Sequence, residues 1–135
     1  MKPKLIALGT LIAFSTSAAA QSAANAAWIG VWHGERHGQP SVTLTLAEDT
    51  GELGGTVVLN ILSLEGGQLH VIAAEPHILV HPLIEGDQLT FQLKRIDKSS
   101  APMNFTVTRN SGGKAQIHCL NCGADAPVVD LVQAQ

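Results

Sequence analysis

Apolar and polar side chains alternate residue by residue over most of the chain that follows the first two dozen residues. Between Val42 and Leu46, threonines separate the aliphatic side chains. A period of two is typical of a strand with one buried face and one wet face. Similar segments recur between turns rich in Gly, Asn, Asp and Pro. They predict strands over residues 28–35, 41–47, 53–61, 69–74, 77–84, 88–96, 103–108, 114–120 and 128–132, with a brief connection as the alternative for 69–74.

These eight or nine strands predict an all-β fold, because no segment has the periodicity of an amphipathic helix. Regular short strands joined by tight turns favour a small antiparallel meander that closes into a barrel of about eight strands. A β-sandwich is the alternative. We expect a bulge or a sharp bend at Gly54 and Gly55, since paired glycines mark such corners.

The first twenty residues have the three parts of a secretory signal peptide. Met1 to Lys4 is basic, Leu5 to Phe14 is apolar, and Ser17 to Ala20 supplies small residues for cleavage. An uncleaved anchor would need a longer apolar run. We therefore predict a leader over residues 1–20, a disordered tail over 21–27, and export to the periplasm or the medium with no transmembrane segment after cleavage.

The exported part, residues 21–135, is long enough for one domain, which we place at 28–135. Once Lys2 and Lys4 are removed, six basic residues face eleven acidic ones. This balance excludes nucleic acid as a partner, because phosphate neutralisation needs clustered lysine and arginine. With no Tyr, three Phe and two Trp, the core has to be filled mainly by Leu, Val and Ile.

Cys119 and Cys122 are the only cysteines and both lie in the exported part. In an oxidising compartment this spacing favours a short structural disulfide. A metal or redox role and free thiols are the alternatives. A closed zinc site needs four ligands, so histidines would have to complete it.

The histidines do not suit a metal site in regular strands. His33 and His37 are four residues apart, as are His77 and His81. Four residues of a strand span about 13 Å, which is too far for one ion. We therefore expect surface or rim histidines, no metal site and no cofactor.

Charged residues give little support to catalysis. Glu35, Arg36 and His37 could form an acid and base pair at the barrel mouth, but the chain has no nucleophile elbow and no second placed carboxylate. We interpret this trio as a polar rim and expect a protein that is not an enzyme. Arg95 falls on an otherwise apolar face, where we favour a strand end over an anion site inside the barrel.

Gly30-Val31-Trp32 lies in the first predicted strand and is followed by a succession of antiparallel strands. The motif resembles the Gly-x-Trp signature of the lipocalin and calycin superfamily. The resemblance implies a tight backbone approach at Gly30 and an indole at Trp32 that packs across one end of the barrel. The chain is most similar to the small secreted bacterial lipocalin-like proteins, so the resemblance implies an architecture and leaves the ligand open.

An eight-stranded barrel has room either for its own side chains or for one small ligand. The first hypothesis is an exported binding protein for a small apolar or amphipathic molecule. The second is a structural or interaction protein of the cell envelope with a filled barrel, and the third is a metal or redox protein that uses the cysteine pair. The residues predicted to contact a ligand are Leu44, Leu46, Val57, Leu59, Phe91, Leu93, Phe105 and Ile117.

Overall fold

The computed structural model describes residues 25–95, 97 and 100–135. The predicted leader and the first part of the predicted tail lie outside these residues. The described chain folds into nine antiparallel strands, which confirms the all-β prediction. Their bounds are β1 Gly30–Arg36, β2 Gln39–Asp49, β3 Glu52–Glu65, β4 Gln68–Ile78, β5 Val80–Glu85, β6 Gln88–Leu93, β7 Met103–Ser111, β8 Lys114–Cys119 and β9 Val129–Gln133.

All nine strands belong to one sheet in the order β4-β3-β2-β1-β9-β8-β7-β6-β5. Neighbours in the sheet are also neighbours in sequence except where β1 meets β9, and the sheet curls into a half-barrel. The two edge strands of the sheet, β4 and β5, are consecutive in sequence and are separated only by Leu79. The Leu79 N–H donates to the carbonyl oxygen of Gly55 at 3.0 Å. One extended run of chain therefore pairs first with β3 and then with β6.

The hairpin formed by β3 and β4 is longer than the sequence pattern predicts. It turns at Gly66 and Gly67, whose φ angles of 59° and 81° suit a tight hairpin turn. The sequence predicts separate strands at 69–74 and 77–84, with a break at Glu75 and Pro76. This break is wrong, because β4 continues through Pro76. An edge strand pairs on one side only, so it tolerates the missing N–H of proline.

Gly54 and Gly55 do not form the expected bulge, since the pairing of β2 with β3 is continuous there. Gly55 marks a close approach of two backbones instead. A Cβ atom at Gly55 would collide with the carbonyl oxygen of Thr45, whereas a Cβ atom at Gly54 would meet open space. Glycine is therefore needed at only one of the two positions.

The core lies on the concave face of the sheet, where alternate side chains of every strand except β4 converge. Trp28 and Trp32 are completely buried, with ring centroids 5.7 Å apart. Asn25 is buried, and its carbonyl oxygen accepts a hydrogen bond from the Trp28 N–H. The residues just before β1 thus contribute to the packing of the half-barrel.

Candidate ligand-binding cleft

The two tryptophans fill one end of the half-barrel, which we call the tryptophan end. The Trp32 indole N–H donates to the Trp28 carbonyl oxygen at 2.9 Å, and the Trp28 indole N–H donates to the Gly86 carbonyl oxygen at 3.4 Å. The Arg109 guanidinium lies 5.9 Å from the centre of the Trp28 ring. Both buried indoles are hydrogen-bonded, so this end is a packed plug.

The opposite end, which we call the disulfide end, carries the loops at 94–102 and 120–128. A cavity of about 210 Å³ opens there on the concave face. Most of its wall is apolar, and its polar side chains come from the neighbouring strands β1, β2 and β3. The wall consists of Arg36, Ser41, Val42, Leu59, Asn60, Met103, Phe105, Ile117, Cys119, Cys122, Ala126, Pro127 and Val129.

Cys119 and Cys122 form a disulfide with a Cα–Cα distance of 5.6 Å, as the cysteine spacing predicts. Both half-cystines contribute to the wall of the cleft. The described residues contain no group of three or more His, Cys, Asp or Glu that could hold a metal ion. The disulfide forms part of the cleft wall and closes the short loop between the two cysteines.

Asn121, inside the disulfide loop, fixes this loop to the neighbouring one. Its side-chain oxygen accepts a hydrogen bond from the Asn104 N–H at 2.7 Å, and its amide nitrogen donates to the Pro102 carbonyl oxygen at 2.9 Å. Sequence reasoning missed this residue, although an asparagine between paired cysteines is a typical loop-forming signal. The cleft is thus bordered by two loops that are hydrogen-bonded to each other.

Arg95 strengthens the same junction. It lies two residues beyond β6, donates from Nε to the Ala101 carbonyl oxygen at 2.8 Å, and donates from a terminal nitrogen to the Asn121 carbonyl oxygen at 3.3 Å. This is the strand-end position that the sequence favours over a place inside the barrel. Two of its N–H donors are held by the loops, and Arg95 does not line the cleft.

The residues that the sequence predicts as ligand contacts divide into two groups. Leu59, Phe105 and Ile117 line the cleft. The other five lie in the hydrophobic core and do not line the cleft, although Phe91 stacks on Phe105 with ring centroids 5.3 Å apart: Leu44, Leu46, Val57, Phe91 and Leu93. Binding by any of the eight stays a prediction. Alternation identifies the concave face correctly but does not give the position of a side chain along the barrel axis.

Arg36 is the charged side chain of the cleft. It follows Trp32 and Gly34 at intervals of two on β1, so the same face of the strand presents all three. Leu131 and Val129 pack closely against the backbone at Gly34. A Cβ atom there would lie only 2.8 Å from side-chain carbons of both residues. The sequence interpretation of Arg36 as a rim residue agrees with its exposed position at the cleft wall.

Ser41 contributes a hydroxyl to the same wall from β2, the strand next to β1. The register between β1 and β2 shifts at Gly34 and Glu35, which leaves Ser41 as the extra residue of a bulge. Ser41 is only 7% exposed, and no other described residue accepts or donates a hydrogen bond at its side chain. Alternation alone would place this serine on the wet face, so the bulge explains why sequence reasoning missed it.

The histidines lie apart from the cleft wall. His33 and His37 are exposed, whereas His77 is half-buried on β4, with Nε2 3.7 Å from a carboxylate oxygen of Glu75. That nitrogen has no hydrogen-bond partner among the described residues. The four-residue spacings therefore do not create a shared histidine site in the described chain.

No known protein family, no curated protein and no solved structure matches this chain. The part of the chain that the structure describes contains no helix long and apolar enough to cross a membrane. The cleft at the disulfide end, with Arg36 and Ser41 among the polar side chains of its wall, is the strongest candidate for a functional site.

Proposed function

We propose that this protein is an exported, non-enzymatic binding protein that holds one small apolar or amphipathic molecule in the cleft at the disulfide end. The observation that carries the proposal is the apolar cavity of about 210 Å³ between β2, β7, β8 and the disulfide loop. Apolar walls with a few polar groups on one side are typical of small-molecule sites. The tryptophan end is filled by two completely buried indoles.

The volume limits the size of the ligand. An engineered apolar cavity of about 150 Å³ accepts benzene, whereas pockets for drug-sized ligands occupy about 300–1,000 Å³. A volume of about 210 Å³ suits one aromatic ring with a small substituent, or a short aliphatic chain. So few ligand atoms give dissociation constants on the order of 10 µM to 1 mM.

The compartment follows from two features. The leader pattern over residues 1–20 favours export, and the disulfide between Cys119 and Cys122 is of the kind that persists outside the reducing cytosol. We place the protein in the periplasm or the medium on these grounds. The buried Trp32 after Gly30 supports a lipocalin-like relationship as part of the same proposal.

A second candidate function is that of an interaction protein of the cell envelope with a filled barrel. It is favoured by the extension of the β3–β4 hairpin, residues 60–74, where β3 has no further pairing with β2. Leu64 and Ile72 on this extension are 68% and 58% exposed. Clustered exposed aliphatic side chains suit a protein contact.

The proposal is tested by filling the cleft from its loop side. Ala126 lines the cavity and is half-buried, whereas Ala124 is exposed in the same loop and does not line it. Benzyl alcohol and 1-hexanol serve as uncharged probes, titrated by calorimetry into wild type, Ala126→Phe and Ala124→Phe. We expect saturable binding to wild type and Ala124→Phe, and at least a tenfold loss in Ala126→Phe.

Equal binding by the two variants would contradict the proposed site. An absence of saturable binding to wild type would favour the filled-barrel candidate. That candidate in turn expects Leu64→Ser and Ile72→Ser to abolish the recovery of a stoichiometric envelope protein while the fold is retained.

A further inference from the structure

The described wall of the cleft carries positive charge and no negative charge. Arg36 is the only ionisable side chain among its described lining residues, apart from the two half-cystines, which do not titrate in the disulfide. No carboxylate lines the cavity, although the whole chain has a formal net charge of −3. The cleft is therefore a local positive site in an acidic protein, and a negatively charged ligand group would be attracted to it.

The Arg36 guanidinium is free to bind such a group. None of the described residues forms an ion pair or a side-chain hydrogen bond with it. The neighbouring Glu35 lies opposite Pro40 on the other face of β1, so it does not neutralise Arg36 from the same face. A guanidinium presents five N–H donors in a planar fork that matches the two oxygens of a carboxylate.

Ser41 supplies a second, independent donor. Ser41 is 7% exposed and lines the cavity. No described residue forms a hydrogen bond with its hydroxyl, so this group can donate to a ligand oxygen in the cleft. Arg36 and Ser41 thus offer donors, and no opposing charge, at one side of an apolar space.

We infer that the cleft selects small monocarboxylates, whose carboxylate pairs with Arg36 and Ser41 and whose ring or short chain packs against Phe105, Ile117 and Val129. This inference rests on the proposed function and names its ligand class. One aromatic ring or about six carbons fits the available volume, by comparison with the benzene-sized cavity above. The apolar part gives affinity, and the two donors discriminate the acid from the corresponding alcohol.

The test compares acid and alcohol pairs on the full exported chain with its disulfide intact. Benzoate is titrated against benzyl alcohol, and hexanoate against 1-hexanol, at neutral pH and low salt. We expect each acid to bind about tenfold more tightly than its alcohol, because a charge-assisted hydrogen bond at a partly exposed site is weakened by solvent. Raising the salt concentration should weaken binding of the acids only.

The Arg36→Gln variant should abolish the preference for the acid and leave alcohol binding unchanged. Arg36→Lys should restore part of the preference, since it keeps the charge and loses the fork. Lys114→Gln is the matched control, because Lys114 is an exposed cation at the opposite end of β8 and does not line the cavity. It should bind both probes like wild type.

Equal affinity for acid and alcohol in wild type would overturn the inference and leave the proposed function intact. The same holds for a preference that survives in Arg36→Gln. If neither probe binds, the proposed function fails together with the inference. Amide spectra of each variant check that the fold is retained.

Discussion

The two ends of the half-barrel are built from the same alternating strands and yet differ in how they are filled. At the tryptophan end, two completely buried indoles form hydrogen bonds to backbone carbonyl oxygens, and tight turns connect the strands. At the disulfide end, the longer loops at 94–102 and 120–128 stand apart and leave a cavity. The comparison indicates that large aromatic side chains close one end, while loops held by a disulfide keep the other end open.

The largest effect is expected at the tryptophan end. Trp32→Ala should lower the free energy of unfolding by about 3–5 kcal/mol, because it removes a fully buried ring and its hydrogen bond. Val132→Ala is the control, since Val132 is 56% exposed and should change stability by less than about 0.5 kcal/mol. Urea denaturation measures both. A loss below about 1 kcal/mol for Trp32→Ala would refute the closed plug.

The next largest loss of stability is expected where the backbones of the paired strands β2 and β3 approach closely at Gly55. Gly55→Ala should destabilise the fold by about 2–3 kcal/mol, because the added methyl group collides with the carbonyl oxygen of Thr45. Gly54→Ala adds the same group in open space and should change stability by less than about 0.5 kcal/mol. If thermal denaturation gives equal values for the two variants, the close approach at Gly55 is incorrect.

Removal of the disulfide should have a smaller effect that is confined to the other end. Replacing both Cys119 and Cys122 with Ser should cost about 2 kcal/mol, as expected for release of so short a loop. This loss lowers the melting temperature by about 5–10 °C. Probe affinity should fall as well, since both half-cystines line the cleft. Unchanged stability with loss of a metal or of thiol–disulfide exchange activity would support the redox hypothesis instead.

The smallest effect is expected from the cation above Trp28. Arg109→Gln should reduce stability by about 1 kcal/mol, because the half-buried Arg109 guanidinium lies over the indole ring. Lys114→Gln makes the same charge change without an aromatic partner and serves as its control. A chemical denaturation series that gives equal values for the two variants would show that the Arg109–Trp28 contact contributes nothing to the plug.

The sequence alone predicts the concave face well and the depth of each side chain poorly. The alternation from Val42 to Leu46 identifies the buried face of β2 because strand geometry has a fixed period. It places Leu44 and Leu59 in the same predicted site, whereas the structure puts Leu44 in the core and Leu59 at the cleft. Position along the barrel axis depends on register between strands, and a single sequence carries no direct signal for it.

Local irregularities account for the other differences. The bulge at Ser41 arises from the pairing of β1 with β2. No residue in the local sequence indicates that Ser41 departs from the alternation of buried and exposed side chains. Pro76 is expected to end a strand, but β4 is an edge strand and can contain a proline. By contrast, the disulfide between Cys119 and Cys122 could be predicted, because the chain offers no other cysteine and the spacing permits closure.

The central claim is that a small ligand occupies the disulfide end, and methyl-resolved NMR tests it most directly. The wild-type exported chain is titrated with 1-hexanol while the methyl signals of Ile117 and Val129 are compared with those of Leu46 and Val107. We predict saturable shifts at Ile117 and Val129, which line the cleft, and little change at Leu46 and Val107, which lie in the core away from its wall. Shifts confined to Leu64 and Ile72 on the hairpin extension, or no saturable shifts at all, would contradict the claim.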